Sequence, residues 1–134
     1  MGAVMAPAAA DTIARHLADT MRSPDYYDLI VTGDLGAYGR ELAETLLRQK
    51  GYEVGGRLHD CGVMIYSPEQ DPHAGGSGCA CSGVVTCGYL IQQLKAGRMK
   101  RFLGVATGAL FSQCSFQQGE TIPAIAHAVV VEGR

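Results

Sequence analysis

The chain has 134 residues, 47% of them hydrophobic and 18% charged, with a formal net charge of −2. That length holds one domain with its own core and is too short for two ordinary ones, and the composition excludes disorder. Only Lys95, Arg98, Lys100 and Arg101 cluster, so there is no broad basic surface and no nucleic-acid partner is expected.

The opening MGAVMAPAAADTIARH has neither a basic n-region nor an apolar h-region, so no signal peptide is expected. Met1-Gly2 invites N-myristoylation, but Ala6 stands where that signal carries Ser or Thr. Residues 2–6 form a short apolar run and read as an edge strand. A helical pattern starts at Asp11, with Ile13, Leu17 and Thr20 or Met21 on one face. RSPD at 22–25 ends it, because Pro24 disfavours helix at Ser23.

YYDLIVTGD reads as a strand entering a tight turn. LGAYGRELAETLLRQKG follows as a helix, with Leu35, Tyr38, Leu42 and Leu46 along its face and Gly51 as C-cap. Strand, turn and helix make half of a βαβ unit. The stretch from Tyr52 to Gly76 is rich in loop signals, with one strand expected over 62–66. A helix then runs from 78 to about 96 and closes at Gly97. RFLGVATG is a buried strand, FSQCSFQQGETIP a long connection, and AIAHAVVVEG a final strand. The order predicts a single α/β domain with a mixed sheet of about five strands and helices on both faces. No run approaches the roughly 18 apolar residues of a membrane span.

The helix over 78–95 is unusual. Between Ala74 and Lys95 no residue is charged. Cys79, Ala80, Ser82, Gly83, Thr86, Cys87 and Gly88 are small, and Val84, Val85, Leu90, Ile91 and Leu94 are apolar. A helix apolar all round is normally buried all round. Its small residues predict close backbone approach, which would offset glycines costing about 1 kcal/mol each. One small domain rarely covers both sides of such a helix.

Three chemistries suit HAGGSGCACSG at 73–83. Cys79 or Cys81 at a helix start could be a thiolate nucleophile, although His59, His73 and His127 stand at no motif spacing as bases. His59, Cys61, His73, Cys79 and Cys81 are potential zinc ligands, but one intervening residue makes Cys79 and Cys81 diverge on a helix, and no metal is expected. Gly75, Gly76, Ser77 and Gly78 could offer N–H groups to an anion, without the lysine of a phosphate loop. Asp34 follows a strand where α/β proteins bind ligands, or caps the next helix. The five cysteines are odd in number, and without a secretory signal reduced thiols are expected.

GGSGCACSG opening an apolar helix, with KRFLGVATGALFS after it, resembles the C-terminal half of the thiolase superfamily. MAPAAADTIARHLADT, RSPDYYDLIVTGDLGAYGRELAETLL and TGALFSQCSFQQGETIPAIAHAVVVE resemble the stage V sporulation protein AD family, over essentially the whole chain. That resemblance implies a thiolase-like fold of two similar halves. The N-terminal one, which carries the nucleophilic cysteine in thiolases, is outside this chain.

Where a thiolase reads Asn-Gly-Gly and then Gly-His-Pro, this chain has Ala74-Gly75-Gly76 and Cys81-Ser82-Gly83. The thiolase histidine thus falls on Ser82. The second cysteine falls on Ala106 or Thr107, and the ketoacyl-synthase histidine on the Gly33-Asp34 turn. The resemblance therefore implies a non-catalytic protein without cofactors. Its implied ligand is dipicolinic acid, a planar pyridine with two carboxylates, taken with calcium into the forespore. The implied partners are membrane proteins of the same operon, at the inner membrane of the spore.

Ligand-binding candidates in this half are Gly75, Gly76, Ser77, Gly78, Ser82, Thr107 and Asp34. The missing half, or a second copy in a homodimer, is expected to cover the apolar helix. The rival readings are a thioester-dependent acyltransferase and a purely structural partner of spore membrane channel proteins.

Overall fold

The computed structural model describes residues 2–133, so Met1 of the Met-Gly pair lies outside it. Helix α1 spans Gly2–Thr20 and includes the segment expected to be an edge strand. The reason is visible in its packing. Met5, Ala6, Ala9, Ala10, Ile13, Ala14 and Leu17 recur at helical spacing and are all buried, so the periodicity begins well before Asp11. Neither Thr20 nor Met21 extends that face; both are exposed.

Strand β1 (Leu29–Thr32) is buried along its whole length. Helix α2 (Gly36–Gln49) follows and ends at Gly51, which has a left-handed φ of 86°. Its buried residues are Gly36, Gly39, Ala43 and Leu47. The expected stripe holds at Leu35, which is buried, and is corrected beyond it: Tyr38 points to solvent and Leu42 is exposed, while Leu46 packs only against the core margin. Close approach of α1 decides this. A Cβ on Gly39 would sit 3.0 Å from the backbone of Gly2, so the small face turns inward and the larger side chains turn out.

Strand β2 is Leu58–Asp60, and the strand expected over 62–66 is instead one helical turn, α3 (Cys61–Met64). Then α4 (Ala80–Val85), a single π-helical turn (Thr86–Leu90) and α5 (Ile91–Lys95) form one continuous helix. Its buried residues are Cys81, Val85, Leu90 and Leu94. The step from Val85 to Leu90 is one residue too long for an α-helix to keep both on one face. The π turn, with bonds to the fifth residue back, restores the alignment.

Strand β3 (Arg101–Ala109), helix α6 (Gln113–Gln117) and strand β4 (Ala124–Glu132) complete the chain. The sheet has four strands in the order β2-β1-β3-β4, one fewer than expected because residues 2–6 joined α1. Strand β1 runs parallel to β2 and β3, and β3 pairs antiparallel with β4.

Helices lie on both faces. One core joins Ile13 and Leu17 of α1 and Leu47 of α2 to Ile30, Leu58, Leu103 and Val105. The other joins Val85, Leu90 and Leu94 to Leu29, Val31 and Phe102. The α4–α5 helix is not buried all round: Val84 is 54% and Tyr89 52% exposed, as are Ile125 and Val129 of β4 to 57% and 62%. Nor is anything within 4 Å of where a Cβ would stand on Gly83 or Gly88. Gly83 and Gly88 serve no close approach among the described residues, whereas Cys81 and Ser82 pack near Gly76 and Gly33.

Candidate functional site: a cleft at the carboxyl ends of β1 and β3

Two parallel strands that end side by side leave their following loops to form a cleft. Here β1 runs into Gly33-Asp34 and β3 continues through Ala106 and Thr107, while the glycine loop before α4 closes the third side. The resulting cavity is about 360 Å³, lined by Met5, Gly33, Asp34, Ser77, Gly78, Cys79, Ser82 and residues 106–109. Asp34, Ser77, Gly78, Ser82 and Thr107, singled out separately from the sequence, meet around it.

Gly75 and Gly76 do not line it. They hold the loop in place, since the Gly76 N–H donates to the Gly62 carbonyl at 2.7 Å and the Ala37 N–H to that of Ala74 at 2.7 Å. A Cβ on Gly62 would lie 2.3 Å from the Gly76 oxygen. At Gly36 it would lie 2.7 Å from the Ala74 oxygen, at a left-handed φ of 69°. Gly75 is as tightly set, since a Cβ there would lie 2.8 Å from the Gly62 oxygen at a φ of 105°, so the glycines of β1–α2, α3 and the loop hold the site together.

Asp34 does not cap α2. Its carboxylate accepts the Gly78 N–H at 2.9 Å and so bridges two sides of the cleft. The start of α2 is served by Asp60, which accepts from the N–H of Leu35 at 2.8 Å and of Gly36 at 3.0 Å. The Thr32 hydroxyl donates to the same carboxylate at 2.7 Å. Asp60 is 1% exposed and anchors the loop that carries Asp34. Sequence reasoning missed it because the groups it serves lie more than twenty positions upstream. Its only local signal is a carboxylate ending a short strand.

Polar satisfaction around the cleft is incomplete. Ser82 makes one long bond, its hydroxyl donating to the Cys79 carbonyl at 3.5 Å. The Thr107 hydroxyl is buried and has no partner among the described residues. A buried hydroxyl left unpaired costs roughly 1–3 kcal/mol, so this wall has hydrogen-bonding capacity to give to a guest.

Of the five thiols Cys61 and Cys81 are buried, while Cys79, Cys87 and Cys114 are exposed. Burial, and then the carboxylates of Asp34 and Asp60, push the Cys81 thiol up. Burial first, and Asp60 second, push Cys61 up to about 12. Both shifts oppose the thiolate that a helix start would favour. All five cysteines are free. Among the described residues no three His, Cys, Asp or Glu side chains converge as metal ligands. His59, one of the zinc candidates, instead hydrogen-bonds the Gly56 carbonyl at 2.8 Å.

A second cavity, of about 350 Å³, lies between α4 and the uncovered part of the sheet. Thr86, Cys87, Phe102, Gly104, His127 and Val129 are among its walls. Val84 and Tyr89 border a different cavity, together with Met64 and Ile65.

Fold and site together define an α/β protein with a mixed sheet, a strand-end cleft and one apolar face left open. The family model for stage V sporulation protein AD matches residues 1–132. The chain is 54% identical over 132 residues to stage V sporulation protein AD of Bacillus subtilis (strain 168). This chain belongs to the stage V sporulation protein AD family. The match takes in 98% of the chain and 39% of that relative, so the chain spans well under half of the relative's length. Among the described residues no helix is long and apolar enough to cross a membrane.

Proposed function

We propose that this chain forms part of a non-catalytic sporulation protein on a thiolase-like scaffold, which binds dipicolinic acid, with or without calcium, for uptake into the forespore. The observation that carries the reading is the strand-end cleft. It combines the unpartnered Thr107 hydroxyl with Ser77, Ser82 and the Gly78 N–H, the last of which donates to Asp34. These are neutral donors, suited to carboxylate oxygens, beside the small walls of Ala106, Gly108 and Ala109 that a flat ring requires. In catalysis Ser82 and Ala106 or Thr107 cannot supply the acid–base and thiolate groups of Claisen chemistry, and the raised Cys81 thiol is a poor substitute.

Two measurements test this reading. A chain completed to the length of its relative is expected to bind dipicolinate in calorimetry. The 134-residue chain is expected to bind it at least about tenfold more weakly, because a shared pocket loses preorganised walls when one part is removed. Neither is expected to consume acetyl-CoA. Equal affinity would put the whole site in this chain. Thioester turnover lost on Cys79→Ala or Cys81→Ala would favour the acyltransferase.

The open apolar face supports a second element of the reading. Gly83, Val84, Cys87, Gly88 and Tyr89 on the helix and Ile125 and Val129 on β4 are exposed, and contiguous apolar surface usually marks an interface. In the longer protein the other half, or the membrane proteins of the operon, would cover it. Alone, this chain is expected to form an isologous dimer through it at micromolar concentration. Light scattering decides this, and a stable monomer would remove the dimer.

A further inference from the structure

Two carboxylates serve the same loop in opposite ways. Asp60 is 1% exposed and accepts three hydrogen bonds, so it is fixed. Asp34 is partly exposed and, among the described residues, makes a single bond, to the Gly78 N–H. Among the described residues it is also the only charged side chain lining the cleft. The cleft thus already holds a carboxylate, and that carboxylate belongs to the protein.

We infer that Asp34 is a built-in competitor, whose carboxylate occupies the Gly78 donor until an incoming carboxylate displaces it. An N–H has one hydrogen and serves one good acceptor, so guest and Asp34 cannot both use it. Two carboxylates on one donor also repel each other. Among the described residues no second hydrogen bond holds the Asp34 side chain, and the Thr107, Ser82 and Ser77 hydroxyls that line the cleft do not depend on it. The consequence is a brake on affinity: a guest must displace an internal anion from one donor of the cleft, and a guest with a second anchoring group, such as another carboxylate, gains enough to do so. This inference rests on the dipicolinate reading for the identity of the guest, but not for the contact itself.

The test separates the two. In the chain completed to its relative's length, Asp34→Ala is expected to tighten dipicolinate binding about tenfold or more, the size of one charge-assisted hydrogen bond. Asp34→Asn, which keeps a neutral acceptor for Gly78, is expected to fall between. Affinity unchanged or weakened in Asp34→Ala, with Asp34→Asn restoring it, would make Asp34 a simple support of the loop and overturn the inference. The second readout is the Gly78 amide resonance during titration with benzoate, a carboxylate unrelated to spores. It is expected to move in Asp34→Ala at concentrations that leave the wild type unmoved. That response without dipicolinate binding in any variant would sink the dipicolinate reading and leave the competitor standing. A silent Gly78 amide beside unaltered dipicolinate binding would do the reverse.

Discussion

Replacing Asp60 with alanine is expected to destabilise the chain by about 3–5 kcal/mol, a large share of the roughly 5–15 kcal/mol available to a domain. The carboxylate accepts from the Thr32 hydroxyl and from the N–H groups of Leu35 and Gly36 at distances of 2.7 to 3.0 Å. At 1% exposure the carboxylate is shut off from bulk water. Alanine would leave the first N–H groups of α2 unpaired in the interior and remove a negative group from the positive end of a helix. Asp60→Asn keeps one acceptor oxygen and should cost about half as much. Thermal unfolding of the two variants checks this, with Asp60→Ala melting roughly 10–20 °C below wild type. A shift of only a degree or two would mean that the loop finds other partners.

Substituting Gly62 with alanine should cost about 2–3 kcal/mol, with the damage concentrated in the cleft. The added methyl would lie 2.3 Å from the Gly76 carbonyl oxygen and 3.0 Å from Asp60 Oδ1. The first of these is backbone and cannot yield by rotating a side chain. The loop from Pro72 to Gly78 must lift, breaking the Gly76-to-Gly62 bond and moving the Gly78 donor away from Asp34. Gly83→Ala is the control. It meets open space inside a helix, so at concentrations low enough to keep the chain monomeric it should stabilise by up to about 1 kcal/mol. Chemical denaturation of both variants measures the contrast. If Gly83→Ala is also destabilising, a second molecule is already packed on that face.

Much of the fold could be read from local chemistry. β1, β3 and β4 announce themselves as apolar runs, and Gly51 and Gly97 mark helix ends with left-handed backbone at φ of 86° and 68°. Five of the seven residues proposed for the ligand line one cleft, because turn glycines, a strand-end aspartate and small hydroxyl residues are local signals of a strand-end site. What failed was whatever depends on a distant neighbour. Residues 2–6 are short and apolar enough for a strand, and only their continuity with the stripe through Leu17 against β3 makes them helix. The buried face of α2 is its small side because the backbone of Gly2 lies against Gly39.

Asp60 as the anchor of α2, Gly62 as the seat of the glycine loop, and Asp34 as the partner of Gly78 all join residues far apart in the chain. Periodicity and propensity constrain a residue and its near neighbours, so the sequence by itself determined the family and most element types, with exceptions such as 2–6, 58–60 and 62–66. It also singled out five residues that line the cleft. Tertiary structure alone decided which polar group meets which, because those pairings follow from strand order and the closeness of backbones, quantities no single segment carries.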